Sequence, residues 1–216
     1  MDTAPVITRI RSELATAGPS EAVAYLLGAL HDGCFNRLHR TIRISQADLS
    51  WLDVLRFLLE KLGKRSWLYR EGTRNVWTLE STYCPTRAPL QTARERAAYA
   101  RGYFDAEGGL PKHQLPRFYL QLVQKNRQDL QELHDILGAL GIHCGAIHNP
   151  SKEVDPEYWR FYVRTTSHLD FIVRIGSWHP RKRFLLEARR THLEVKSMLR
   201  PNLTNPTLSI GPVSRE

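Results

Sequence analysis

Residues 97–108 read AAYARGYFDAEG, and residues 22–33 read AVAYLLGALHDG. Each stretch opens on alanine-rich, helix-forming sequence, carries a tyrosine near its start and closes on an acid followed by glycine. The likeness continues downstream, where TIRISQADLSWLDVLRFLLEKLG (41–63) runs alongside FYLQLVQKNRQDLQELHDILGALG (118–141). In both, a strand-like alternation ends in glutamine (Gln46, Gln124), a polar turn follows, and a helix closes on leucine and glycine (Leu62 and Gly63, Leu140 and Gly141). The offset is 75 residues from Asp32 to Glu107 and 78 from Gln46 to Gln124. Spacing this steady marks a duplicated unit.

Periodicity gives the elements of one unit. A helix is expected over 21–31, with Ser20 as N-cap and Glu21 in the first turn. Ile42 and Ile44 alternate with Thr41, Arg43 and Ser45 as in a strand with one apolar face. Leu52, Leu55, Leu59 and Leu62 recur at helical spacing, and SWLYREGTRNVWTLE (66–80) reads as a hairpin around Glu71 and Gly72. The second unit repeats the order with a helix over 94–106, a strand over 117–123, a helix over 129–140 and strands near 143–148 and 157–164. It then adds a helix over 181–199 that the first unit lacks. The expected division is an N-terminal extension (1–19), a first unit (20–82), a linker (83–92), a second unit (93–200) and a C-terminal tail (201–216), with the two ends peripheral.

The 216 residues carry 31 Lys plus Arg against 22 Asp plus Glu, a formal charge of +9, which favours a polyanionic partner such as nucleic acid. Five Trp, eight Tyr and seven Phe exclude global disorder. No run reaches the ~20 apolar residues that a membrane helix needs. The start MDTAPVITRI lacks a signal peptide's apolar stretch. Cys34, Cys84 and Cys144 are far apart and in no CxxC pair, so reduced thiols in a cytoplasmic setting are expected, or an organellar one in a eukaryote.

Both repeated helices place a small residue four before their glycine, Ala24/Gly28 and Ala98/Gly102. Such stripes let two helices pack closely, and facing stripes would bring Asp32 and Glu107 to one end. Like charges held so close need a cation or a proton between them, and hard divalent ions such as Mg²⁺ take carboxylate oxygens. A carboxylate pair of this kind in a basic protein suggests metal-assisted phosphodiester hydrolysis.

AYARGYFDAEG resembles the LAGLIDADG motif, and AYLLGALHDGC resembles its first copy in single-chain members of that family; the likeness spans roughly residues 20–195. The resemblance implies an α+β fold of two pseudo-symmetric αββαββ(α) units, each with a curved antiparallel sheet forming a DNA-binding saddle. It also implies a monomeric homing endonuclease that cuts double-stranded DNA at a long asymmetric site with Mg²⁺, for which Mn²⁺ or Ca²⁺ can substitute in binding. Alternatives within the family are an intron RNA maturase and a DNA-binding regulator that does not cut. No obligate protein partner and no membrane are implied. Carried over by position, Asp32 and Glu107 are the metal-binding acids, and Gln46 and Gln124 match the polar residues that order active-site water. A basic residue before the last helix corresponds to Lys182, preferred to Arg183, and the first unit's equivalent is missing or supplied by Arg87. One departure stands out: Gly102 to Glu107 is five residues, but Gly28 to Asp32 is four. Either Leu27 takes the packing position or the first helix unwinds early.

Strand parity gives the DNA-facing set. With Ile42 and Ile44 inward, Thr41 and Arg43 face out, after Arg37 and His39. With Phe118, Leu120 and Leu122 inward, Arg117, Tyr119 and Gln121 face out. With Trp159, Phe161 and Val163 inward, Arg160, Tyr162 and Arg164 do so. The first hairpin adds Arg65, Tyr69, Arg70 and Arg74, while Lys112 and Lys125 suit phosphates. Parity points Gln46 and Gln124 inward, so their role is expected to need a turn in each strand. His31 is read as helix-end packing or a dipole partner rather than a metal ligand. His143, Cys144 and His148 fit strand alternation better than a zinc fragment.

Overall fold

In the computed structural model, residues 4–73, 75–86, 88–111 and 117–198 are described. The expected Arg74, Lys112 and Arg87 contributions, and the 201–216 tail, lie outside them. The first unit comprises α2 (Pro19–Ala29), a 3₁₀ turn (Leu30–Asp32), β1 (Cys34–Asn36), β2 (Thr41–Gln46), α3 (Leu49–Lys61), β3 (Ser66–Arg70) and β4 (Trp77–Ser81). Its four strands are antiparallel in the order β1-β2-β4-β3. The second unit comprises α4 (Ala93–Glu107), β5 (Gly108–Gly109), β6 (Gln121–Gln124), α5 (Arg127–Ala139), β7 (Trp159–Tyr162), α6 (His168–Arg174) and α7 (Pro180–Met198). Its antiparallel sheet has the order β5-β6-β7. The strand expected near 143–148 is reduced to two isolated bridges, Cys144 to Val163 and His148 to Arg160. The α+β fold with two antiparallel sheets is the one the resemblance implied.

Local chemistry explains the helix boundaries. Thr92 Oγ1 accepts from Glu95 N at 3.1 Å while Glu95 returns to Thr92 N, a reciprocal cap that starts α4. The side chains of Asp48 and Asn126 cap α3 and α5 by accepting from first-turn N–H groups, without the reciprocal bond. Gly63 and Gly141, at φ +67° and +76°, take the left-handed conformation that closes those two helices. Ser20 is not the N-cap of α2: Pro19 already occupies the first turn, where its missing N–H costs nothing, and Gly18 N donates to Glu21 Oε2 at 3.3 Å.

Residues 4–16, expected to be peripheral, form helix α1 (Ala4–Thr16). Val6, Ile10 and Leu14, four apart on one face, are buried at 4%, 1% and 1% exposure. Lys61 Nζ donates to the carbonyls of Leu14, Ala15 and Ala17 at 2.6–2.8 Å, placing a cation at the negative end of α1. Arg183 Nη2 and Trp178 Nε1 donate to Glu13 at 2.8 and 2.9 Å. Helix α1 therefore ties α3 of the first unit to α7 of the second.

The centre of the molecule is the α2–α4 pair. A Cβ on Gly102 would sit 2.0 Å from the Tyr25 carbonyl oxygen, and one on Gly28 would sit 2.1 Å from that of Tyr99. Backbone touches backbone at this crossing, so only hydrogen fits between. Gly102→Ala should force the helices apart and cost about 2–3 kcal/mol, a Tm roughly 4–12 °C lower in a thermal melt. An unchanged Tm would mean that the helices do not cross there.

Candidate active site at the paired helix ends

The two helices end differently. Helix α4 stays α-helical through Glu107, whereas α2 stops at Ala29 and tightens into the 3₁₀ turn that ends on Asp32. A 3₁₀ turn rises about 2.0 Å per residue against 1.5 Å in an α-helix. Four residues after Gly28 therefore climb about as far, roughly 7.5 Å, as five after Gly102. Gly28 keeps its packing position, Leu27 does not replace it, and the change of pitch absorbs the missing residue. The deletion does remove something else. None of Ala29, Leu30 and His31 is an acid, so the first motif has no counterpart of Asp105.

Asp32 Oδ2 accepts from Gln46 Nε2. Strand β2 runs straight through Gln46 with no turn before it, because the end of the helix already lies on the inward face of the sheet. Burial raises the Asp32 carboxyl above its ordinary value, opposed by the Gln46 hydrogen bond and the Lys182 charge. Burial raises Glu107 to about 7, with the Asp32 charge adding to the rise and Lys182 opposing it. Burial lowers Lys182 to about 8, against the pull of Asp105, Glu107 and Asp32. The three groups thus share one poorly solvated place. Lys182 Nζ also donates to the carbonyls of Phe104 and Asp105 at 2.7 and 2.8 Å, at the C-terminal end of α4. Arg183, the other basic candidate, is engaged elsewhere, with Glu13 and Glu187.

The two glutamines are not equivalent. Gln124 Nε2 lies 3.4 Å from His31 Nδ1, and its Oε1 accepts from Lys125 N at 2.7 Å. His31 Nε2 is 2.9 Å from Tyr99 Oη, and its ring packs on Tyr103 at 4.3 Å between centroids. His31 is therefore a packing and hydrogen-bonding bridge from the first motif to the second unit.

A buried network absent from the sequence reading supports this end of the molecule. Asp105, 1% exposed, accepts from Tyr25 Oη at 2.6 Å, Trp178 N at 2.8 Å, His179 N at 3.1 Å and Ser177 Oγ. Trp51 Nε1 donates to Tyr25 Oη at 2.9 Å. The extra acid in FDAEG was the available signal, but its partners lie 72–80 residues away in the chain.

On the outer sheet faces, parity holds where the core is apolar: Ile44, Leu120, Leu122, Phe161 and Val163 are buried. Tyr119 and Tyr162 meet edge to face at 6.1 Å, Gln121 pairs with Tyr162, and the Arg160 guanidinium lies 5.4 Å from the Tyr162 ring centroid. Arg37, His39, Arg65, Arg117, Lys125 and Arg164 are exposed. Two expectations change. Thr41 is only 4% exposed, because its hydroxyl donates to Glu80 Oε1, so it presents no free face. Arg70 pairs with Trp77 on the parity opposite to Tyr69, because neighbouring strand residues cannot share a face. No helix among the described residues is long and apolar enough to cross a membrane.

Two packed helices of a pseudo-symmetric α+β fold, each ending on an acid, define the LAGLIDADG class. Residues 94–184 match the family described as LAGLIDADG-like domain, and the chain has the LAGLIDADG fold. Among solved structures, it is similar to I-DmoI in complex with DNA and Ca, at 19% identity and a TM-score of 0.60 over 80% of this chain and 100% of that one. It is similar to full-length DUF199/WhiA from Thermatoga maritima at 16% identity and a TM-score of 0.62, over 88% of this chain and 72% of that one. The N-terminal LAGLIDADG domain of DUF199/WhiA matches at 18% identity and 0.61, over 78% and 90%. No curated protein matches the chain.

Proposed function

We propose that this protein is a monomeric homing endonuclease that hydrolyses double-stranded DNA at a long, asymmetric site, with one acid from each motif helix and a divalent ion. The observation that carries this reading is the convergence of Asp32, Glu107 and Lys182 where the two helices end. The solved neighbour I-DmoI, a homing endonuclease, is described in complex with DNA and with Mn or Ca. The residues fit such an ion. Two carboxylates present hard oxygen donors, and among the described residues no group of three or more His, Cys, Asp and Glu side chains competes as a metal site. Mg²⁺ characteristically takes one or two carboxylates and completes its shell with water and phosphate. When bound, the ion supplies charge neutralisation at the reacting phosphate. Asp32 and Glu107 hold it, Gln46 fixes the orientation of Asp32, and Lys182 adds positive charge beside the phosphate. Diverged halves in one chain make the target asymmetric and the working unit a monomer. A second reading, a DNA-binding protein that does not cut, is favoured by one observation: Gln124 is turned to His31, whereas Gln46 serves Asp32.

Selection of cut and bound sites from a randomised DNA library, with Mg²⁺ and with EDTA, tests both. Metal-dependent cutting at one long non-palindromic sequence is expected. Enrichment by binding with no cutting would put the second reading first, and no enrichment at all would sink both.

The metal should bind in competition with protons. Below pH 7 the Glu107 carboxyl is largely protonated in the ion-free protein, so Ca²⁺ affinity should fall as pH drops from 8 to 6, by up to about tenfold per unit below 7. Calorimetry in buffers of different ionisation enthalpy should show proton release at pH 6 and little from Glu107 at pH 8. Affinity constant across that range would remove Glu107 from the ion's ligands.

A further inference from the structure

The outer face of the first sheet carries an acid at its centre. Ile44 and Leu79 are buried on the helix-facing side, so Thr41, Arg43, Glu80 and Tyr69 lie on the other face by strand pairing. Arg43 Nε is 3.1 Å from Glu80 Oε1, Thr41 Oγ1 donates to the same oxygen, and Tyr69 Oη donates to Oε2 at 2.8 Å. The Glu80 side chain is only 12% exposed and that of Arg43 29%. An acid in a face meant for a polyanion opposes binding unless it organises something else. The two hydroxyl donors and the Arg43 guanidinium beside it hold Glu80 down to about 2, so it stays ionised at any working pH. Both of its oxygens are occupied, which leaves it poorly placed to accept directly from a cytosine amino group. As an ion pair it keeps the Nε side of the Arg43 fork beside it, leaving the two terminal nitrogens as the end-on pair that suits the O6 and N7 of guanine.

We propose that Glu80 is a positioning residue for sequence specificity: it holds Arg43 so that the guanidinium reads one guanine in the major groove of the DNA target. This rests on the DNA-binding reading above and deepens it. Ordering the long arginine side chain before binding lowers the entropy lost on contact, and it rejects bases that offer the same charge in another geometry. Tyr69 and Thr41 fix the carboxylate in turn, so the four side chains act as one unit centred on β4.

The test is selection of bound sequences by the full chain, by Glu80→Gln and by Arg43→Ala, with thermal melts of each. Glu80→Gln keeps the shape and removes the charge. Preference for one G·C pair should fall roughly five- to a hundredfold, the range of one good bidentate contact, with other positions unchanged. Binding to random DNA should hold or tighten, because a negative charge has gone. Arg43→Ala should erase the same single preference, and the double variant should add nothing further. A preference that survives Arg43→Ala but not Glu80→Gln would mean that Glu80 reads the base itself. Loss spread evenly over all positions with a lower Tm would mean a purely structural role. Either result overturns the proposal, as does an unchanged Glu80→Gln profile. If the unsubstituted chain enriches no sequence, the DNA-binding reading fails with it.

Discussion

Asp32→Asn and Glu107→Gln should each reduce DNA cutting by on the order of 10³-fold or more while leaving DNA binding within a few-fold of the unsubstituted protein. Each amide keeps the shape of its acid and removes the charge that would hold the divalent ion. Binding should survive because the sheets, not the helix ends, present most of the basic and aromatic surface. It should even tighten slightly, since a carboxylate beside a phosphate repels it. The pair acts on one site, so the double variant should be little worse than either single one. Stability should move the other way. The folded-state carboxyl of Glu107 is raised to about 7 by burial and by the Asp32 charge, so ionising it opposes folding. The metal-free protein should therefore lose stability as pH rises from about 4.5 through 7, and Glu107→Gln should lose that dependence and melt higher at pH 8. Normal cutting by both variants would mean that the reaction happens elsewhere. Lost cutting with a lower Tm at pH 8 would instead mark a folding defect.

The sequence carried the parts of this site that depend on local period and on repetition. The two motifs aligned at their glycines, and Gly28 and Gly102 meet backbone to backbone. Leu120, Leu122 and Phe161 are buried as alternation requires. What escaped was whatever depends on partners far along the chain. Parity put Thr41 and Arg43 on the outer face, but it is silent on Glu80, some 40 residues later, which takes the Thr41 hydroxyl. Helix α1 has its apolar residues at Val6, Ile10 and Leu14 among polar neighbours, a stripe too narrow to stand out until α7 and α3 close over it. The missing residue in the first motif was legible, but its consequence was not. A tighter pitch keeps Asp32 level with its partner, and the position lost is the one that in the second motif carries Asp105. That loss matches another asymmetry: among the described residues, only the second unit has a final helix for such an acid to anchor.

Asp105 should accordingly be the residue whose loss costs the most stability. Its carboxylate receives four donors: the hydroxyls of Tyr25 and Ser177 and the backbone N–H groups of Trp178 and His179. Burial pushes its carboxyl upward, while the Lys182 charge and these donors pull it back. Asp105→Ala strands all four donors in the core, each costing about 1–3 kcal/mol where water cannot reach. Partial relaxation brings the expected loss to on the order of 3–5 kcal/mol, roughly 6–20 °C in Tm. Asp105→Asn should be milder, because its oxygen still accepts while its amide meets a donor head-on. Tyr25→Phe and Ser177→Ala, which each remove one donor, should cost about 1 kcal/mol apiece. The same acid also fixes where Lys182 sits. Ser177, Trp178 and His179 lead through Pro180 into the first turn of α7, from which Lys182 Nζ reaches back to the carbonyls of Phe104 and Asp105. Release of that segment should shift the ammonium by an ångström or so and slow cutting by on the order of 10²-fold in Asp105→Asn, at a temperature where the variant is fully folded. Melting of Asp105→Ala within a degree or two of the unsubstituted protein would show that the network is not what joins α2, α4 and α7. Full cutting by a folded Asp105→Asn would separate Lys182 from it. Asp105 and Glu107, the acid proposed to hold the ion, are two residues apart on one helix, so a single stretch of sequence in the second motif would serve the proposed site and hold the last helix against it.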